Sequence, residues 1–261
     1  MTGHELEIIQ QQRSQVSALR EKNNVEKTVL DGAHFFAMDL ASDGPLRSVF
    51  WADGRSREAY SQFGDVLVFN VTYKTNKFRM QFAPFIRVNH HRQFILFGGA
   101  LLEDEKDETF TCLSEQFLNC MFNKSPNVII TEQHGAMRNA IKNVFPKARH
   151  QYCAWHIKKH VIEHPQPLRS RYSNFDEAYN KWIKSMTITE FESRWKKLQE
   201  KYSIEENSWL SNMYKIRQHW VKVYLKDTFF ASMTTSGRSE SIHSYFDGFV
   251  NSSTMLNEFV V

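Results

Sequence analysis

Cysteine and histidine residues in one part of the chain are spaced as metal ligands often are. Cys153 and His156 form a Cys-x-x-His pair, and His150 and His160 lie close by in sequence. Tetrahedral zinc takes four such ligands, so the pair alone is half of a site. If the chain is helical from Ala154 onward, His156 and His160 share one face of that helix. Two interpretations follow: these residues bind a metal adventitiously, or the pair has a structural role.

The same part of the chain is strongly basic. Between Arg138 and Arg171, eight lysine and arginine residues accompany one acidic residue, Glu163, whereas the net charge of the whole chain is only +4. A local excess of positive charge can attract nucleic-acid phosphates. A solvated helix face gives the same pattern, so charge alone leaves both interpretations open. The candidate phosphate contacts are Arg138, Lys142, Lys147, Arg149, Lys158 and Lys159.

Composition and motifs exclude several other classes of protein. With 41% hydrophobic and 14% aromatic residues, the chain has the material for a packed core and is neither collagen-like nor broadly disordered. It contains no Gly-x-Ser-x-Gly motif and no phosphate-cradling glycine loop. The longest apolar run, residues 94–102, is too short to span a membrane, and we see no secretory signal. Three cysteines favour a reduced compartment without a disulfide framework.

Hydrophobic patterning predicts the elements that position these residues. β-branched and aromatic runs predict strands at 66–73, 82–89, 94–102, 127–131 and 150–153. Helical periodicity predicts helices at 109–122, 135–145 and 154–162. The resulting order, β-β-β-α-β-α-β-α, predicts a mixed sheet flanked by helices. This is the order found in ribonuclease-H-like folds.

The character of the chain changes after Pro165. Few strand signals follow, and aromatic residues such as Phe191 and Trp195 recur at helical spacing. The expected fold class is therefore α/β, a mixed sheet flanked by helices and followed by a helical subdomain. Because the chain stops within an apolar helical pattern that has no cap, we expect a truncated product or an excised domain. The expected regions are an N-terminal helical or mobile segment at 1–45, the core at 46–165, the helical insertion at 166–232 and a C-terminal helix returning to the core at 233–261.

Short motifs are spread over much of the chain. They are Phe50-Trp51-Ala52-Asp53-Gly54-Arg55-Ser56-Arg57, Phe63-Gly64-Asp65-Val66, Thr72-Tyr73-Lys74-Thr75-Asn76, Ala83-Pro84-Phe85, Val88-Asn89-His90-His91, Ile129-Ile130-Thr131, Val144-Phe145-Pro146, Arg149-His150, Cys153-Ala154-Trp155-His156 and Arg238-Ser239-Glu240-Ser241. In these motifs the chain resembles one family, the plant FAR-RED IMPAIRED RESPONSE-related proteins, over about residues 35 to 261. The resemblance implies descent from Mutator-like element (MULE) transposases and an α/β fold, with a ribonuclease-H-like mixed sheet flanked by helices as the transposase core and an all-helical insertion. It also makes Cys153 and His156 a part of that core rather than metal ligands.

The resemblance also implies where an ancestral catalytic site would lie. In the parent chemistry three carboxylates hold two Mg²⁺ ions, which activate the attacking oxygen and stabilise the leaving one. The matching positions are Asn70, Glu132 and Glu240, and an aspartate common in the family is His134 here. An amide cannot neutralise two metal ions, and the longer Glu132 side chain displaces its carboxylate by roughly 1 Å where placement to about 0.5 Å is needed. We therefore expect relic positions in a polar pocket and no enzyme activity. The alternative is a residual metal-dependent transposase or nuclease acting on DNA.

The resemblance further implies a nuclear regulator of DNA-templated transcription. The expected partners are DNA, through the basic residues, and a homo- or heterodimer with family members; no membrane is expected. The family's two zinc modules, one amino-terminal and one of the SWIM type, are not found in these residues, so we expect no cofactor here, neither zinc nor the ancestral Mg²⁺. A third reading is a fragment that makes no contact with DNA.

Overall fold

The structure is a computed structural model that describes residues 34–40, 46–71, 80–89, 91 and 93–230. The chain divides into two compact units, which are treated separately below. The described residues up to His150 belong to the first unit, and those from Gln151 onward belong to the second. The expected core boundary lay later, at residue 165. The segment at 233–261, including its expected C-terminal helix, lies outside the described residues, and so does most of the segment at 1–45.

A seven-stranded mixed sheet contains all the described strands, in the order β1-β2-β5-β4-β3-β6-β7. β4 is antiparallel to both β3 and β5, whereas β3 and β6 are parallel. This arrangement confirms the predicted α/β class and mixed sheet. The strands are β1 (His34–Leu40), β2 (Leu46–Asp53), β3 (Val66–Phe69), β4 (Gln81–Val88), β5 (Phe94–Leu102), β6 (Val128–Thr131) and β7 (Arg149–Tyr152).

Two strands, β1 and β2, were not predicted from the sequence. β1 lies in the range 1–45, where a helical or mobile segment was expected, and β2 extends the sheet from β5. The pairing of β2 with β5 joins segments distant in sequence. A Cβ added at Gly98 of β5 would lie 2.8 Å from the backbone oxygen of Trp51 and 2.9 Å from the Phe50 ring. The close approach of the two strands therefore requires glycine, a constraint that local patterning does not reveal.

Helices α1 (Gly54–Phe63), α2 (Asp107–Cys120) and α3 (Gly135–Val144) complete the first unit. Asp53 caps α1 by accepting a hydrogen bond from the backbone N–H of Ser56. Phenylalanine rings join the helices to the sheet. Phe85 of β4 stacks on Phe117 of α2 with 4.4 Å between ring centroids, and Phe50 meets both rings edge-on.

Among the described residues the second unit is helical from Ala154 onward, where the sequence predicts a helix at 154–162 and helical character after Pro165. Its core is aromatic: the buried Trp182 packs against Phe191 and Trp195, with 4.9 Å between centroids in each pair. Within the described part of the chain, no helix has both the length and the apolar character needed to cross a bilayer. The elements are α4 (Ala154–Glu163), α5 (Gln166–Arg171), α6 (Phe175–Ile183), α7 (Ile188–Tyr202), α8 (Trp209–Lys215), a 3₁₀ turn (Arg217–His219) and α9 (Lys222–Leu225).

Candidate functional site

The register between β3 and β6 brings Asn70 and Glu132 together. The strands are parallel, and Val68 pairs with Ile130. Asn70 and Glu132 each follow their paired residue by two positions, so they leave the sheet side by side at the carboxyl ends of the two strands. The structure thus places two of the three predicted relic positions side by side. Asn70, Glu132 and the polar side chains around them are termed the pocket. The third, Glu240, lies outside the described residues, and its place in the site stays a prediction.

A direct hydrogen bond joins the two positions. The backbone N–H of Glu132 donates to Asn70 Oδ1 at 2.8 Å, and the backbone N–H of Val71 donates to Glu132 Oε1 at 3.4 Å. The first bond fixes the orientation of the amide, because only its oxygen can accept from a backbone N–H. Asn70 is 3% exposed, and its Nδ2 has no acceptor among the described residues. The amide therefore presents a buried, unused donor beside Glu132.

The carboxyl group of Glu132 is unusually easy to protonate. Burial raises its pKa from the ordinary 4.5 to about 7, the backbone N–H of Val71 opposes this shift, and the nearby carboxylate of Glu105 adds to it. A carboxyl group with this pKa carries only part of a negative charge near neutral pH.

Three further polar side chains border this pocket. Glu105, in the loop after β5, accepts from Gln81 Nε2 at 2.5 Å through one oxygen and lies 3.1 Å from His134 Nε2 through the other. His134 occupies the N-cap position of α3, where its ring lies edge-on to Phe110 with 5.5 Å between centroids. Glu105 thus accepts a hydrogen bond from Gln81 and lies within ion-pair distance of His134.

Glu105 and Gln81 were not predicted from the sequence as neighbours of this pocket, although the antiparallel order of β3, β4 and β5 places them at the same edge of the sheet. β5 runs parallel to β3 in the finished sheet, because both are antiparallel to β4. The loop after β5 and the first residue of β4, Gln81, therefore lie at the edge where β3 and β6 end. Strand order therefore indicates that the acidic loop at 103–108 and the relic positions share one edge of the sheet, but it does not bring them into contact.

The described residues of the pocket do not fit a Mg²⁺ centre. Mg²⁺ takes hard oxygen ligands in near-octahedral geometry, favouring charged carboxylates. Here the Asn70 oxygen accepts a hydrogen bond from a backbone N–H, and the other end of the amide is an N–H₂ donor, which repels a cation. Within the described ranges, no three His, Cys, Asp or Glu residues are grouped so that they could hold a metal ion.

The Cys-x-x-His pair lies at the start of α4. Cys153 is buried and occupies the N-cap position, and the half-buried His156 lies in the first turn with its ring edge-on to Trp155 at 4.7 Å. His150 is engaged elsewhere, with its Nε2 2.9 Å from Thr131 Oγ1. Among the described residues, His150, Cys153, His156 and His160 do not form a group that could hold a zinc ion.

Most of the predicted phosphate contacts are open to solvent. Arg138 and Lys142 are exposed one turn apart on α3 of the first unit, and Lys158 and Lys159 are exposed on α4 of the second. Lys147 is exposed and Arg149 is half-buried. Within the described residues, none of the five exposed cations takes part in a salt bridge.

Comparison with known proteins reveals related sequences. Residues 66–160 match the MULE transposase domain family. Protein FAR1-RELATED SEQUENCE 5 of Arabidopsis thaliana is 39% identical over 226 residues, which are 86% of this chain and 29% of that protein. Protein FAR-RED IMPAIRED RESPONSE 1 of the same organism is 39% identical over 227 residues, 87% of this chain and 27% of that protein. This chain therefore spans less than a third of the length of these curated relatives.

Proposed function

The chain belongs to the FAR-RED IMPAIRED RESPONSE-related family and carries a MULE transposase domain, and from this premise we propose that it is a catalytically decayed, transposase-derived regulator of DNA-templated transcription. On this proposal it acts in the nucleus, contacts DNA through the exposed cations of α3 and α4, and catalyses no DNA cleavage. Dimerisation with family members is part of the same proposal.

The bond between Asn70 Oδ1 and the backbone N–H of Glu132 carries the proposal of lost catalysis. An aspartate at position 70 could accept this N–H with one oxygen and still offer the other, negatively charged, to a metal ion. Asparagine offers an N–H₂ group there instead. Burial also raises the pKa of the adjoining Glu132, so near neutral pH this carboxyl group offers a divalent cation less negative charge than an ordinary glutamate.

Restoring the acids tests the proposal. The parental chain and the double variant Asn70→Asp, Glu132→Asp are titrated with Mg²⁺ and Mn²⁺ by calorimetry and incubated with supercoiled plasmid. The parental chain should bind both ions poorly and leave the plasmid intact, whereas the double variant should bind them more tightly because it adds a charged ligand and shortens another. A parental chain that nicks the plasmid as fast as the double variant would establish a working nuclease and overturn the proposal.

A further inference from the structure

Helix α2 ends in a motif that normally requires glycine but has phenylalanine here. The backbone N–H of Asn123 donates to the carbonyl of Leu118 at 2.9 Å, and that of Phe122 donates to the carbonyl of Asn119 at 3.1 Å. With Met121 as C-cap, these two bonds form a Schellman motif. Its first residue beyond the cap, Phe122, has φ 55°, and Asn123 follows with φ 59°.

Phenylalanine is a costly choice at this position. A bulky residue with left-handed backbone is strained by about 1–2 kcal/mol, which glycine avoids. The core does not compensate, because Phe122 is 70% exposed. Strain of this kind is concentrated at functional sites, where the side chain has a use that opposes its local cost.

The ring of Phe122 lies against a buried cation. The guanidinium carbon of Arg57, on α1, lies 4.2 Å from the ring centroid. Arg57 is 5% exposed; its Nε donates to the carbonyl of Cys120 at 3.1 Å, and its Nη2 has no acceptor among the described residues. Across the described part of the chain, no carboxylate forms a salt bridge with Arg57.

This arrangement combines an open aromatic face with positive charge. Arg57 covers one side of the ring, and the high exposure of Phe122 leaves the other side to solvent. Lys124, two residues later, is exposed and donates to the carbonyl of Ser61. A cation-backed ring beside a lysine is complementary to a base linked to a phosphate, since bases stack on aromatic faces and phosphates seek cations.

We propose that Phe122, supported by Arg57 and flanked by Lys124, is a stacking site for an unpaired base of single-stranded nucleic acid. The bases of a duplex are already stacked on one another, so the site favours single strands over duplexes. This inference goes beyond the proposed function, because it concerns residues outside both the relic pocket and the basic residues of α3 and α4. It stands or fails separately from them.

The test measures binding of fluorescein-labelled oligo(dT) of about 12 nucleotides, within the size range of single-strand sites, and of a duplex of the same length. Phe122→Gly is the informative variant, because glycine fits the left-handed position and keeps the helix end intact. It should weaken oligo(dT) binding about tenfold, leave duplex binding unchanged and leave the melting temperature equal or higher. Phe122→Trp should retain oligo(dT) binding. Phe229→Ala removes another phenylalanine that is 69% exposed and should change neither affinity.

Salt dependence separates stacking from charge. Phe122→Gly should leave the slope of log affinity against log salt unchanged, whereas Lys124→Ala should reduce its magnitude by about 0.7. The proposal is overturned if Phe122→Gly binds oligo(dT) like the parental chain, or if it loses duplex and single-strand binding by the same factor. It is also overturned if the parental chain does not bind oligo(dT). If that chain instead self-associates in sedimentation velocity and Phe122→Gly abolishes the self-association, the ring belongs to a protein contact. Duplex affinity in the same titrations reports on the proposed function independently.

Discussion

One atom of Asn70 changes what the pocket can hold. An aspartate in its place would carry an acceptor oxygen where Asn70 has Nδ2, a donor that is buried and unused among the described residues. The pKa of the neighbouring Glu132 is raised, because burial and the Glu105 carboxylate favour its neutral form while the N–H of Val71 opposes them. The chemistry of the pair thus follows from the amide donor of Asn70 and from the burial of Glu132.

This raised pKa makes stability depend on pH in a definite direction. Glu132 binds its proton more tightly in the folded chain, so its contribution to the free energy of unfolding is fully present below pH 4.5 and is lost as pH rises through about 7. The loss is at most about 3 kcal/mol, at 1.36 kcal/mol per pKa unit. Glu132→Gln should remove this loss, so that the difference in unfolding free energy between variant and parent grows between pH 4.5 and 7. Urea denaturation at several pH values measures it.

The exposed Glu115 of α2 offers a matched control for that measurement. Glu115→Gln makes the same chemical change where there is little burial, so its stability difference from the parent should vary much less with pH. If Glu132→Gln and Glu115→Gln behave alike over this range, burial does not govern the protonation of Glu132.

The residues of the site lie at the ends of secondary-structure elements. β3 and β6 deliver Asn70 and Glu132, the loop after β5 delivers Glu105, and the start of α3 delivers His134. Glu132 and His134 are neighbours in sequence, whereas Asn70 and Glu105 come from segments distant from them. The strand pairings beneath the site are therefore as important to it as its own side chains.

The pairing of β2 with β5 offers a test at this scale. Gly98→Ala places a Cβ 2.8 Å from the backbone oxygen of Trp51, which cannot move without disturbing the strand. We expect a loss of about 1–3 kcal/mol in unfolding free energy, typical of overpacking. Gly135→Ala, at the start of α3, meets nothing within 4 Å and should cost nothing. Equal melting temperatures for both variants would show that the strands do not need this close approach.

At the scale of the whole molecule, the distribution of charge is more informative than its total. The net charge is +4, and five cations from α3 to α4 are exposed without salt bridges among the described residues. Such charges bind phosphates without reading sequence, and binding weakens steeply with salt because counterions are released.

Duplex binding by the whole chain tests this distribution. Charge reversal of Lys158 and Lys159 to Glu should weaken binding to all duplex sequences alike and flatten the salt dependence. Lys196 and Lys197 form a second exposed lysine pair, on α7, and the same reversal there provides a control of equal net charge. Fluorescence anisotropy at several salt concentrations compares them. Equal losses for both pairs would indicate that only net charge matters.

The sequence by itself determined the α/β class, the order of the central strands, the helical character after residue 165 and the family. Each of these depends on local periodicity or on motifs that survive in single segments of chain. It also identified Asn70 and Glu132 as paired positions, through the family resemblance. Only the tertiary structure decided that the Asn70 amide turns its oxygen to the backbone of Glu132, that Glu105 and Gln81 border the pocket, and that β1 and β2 widen the sheet. Strand register, burial and long-range pairing govern these features, and they arise between segments that are far apart in sequence.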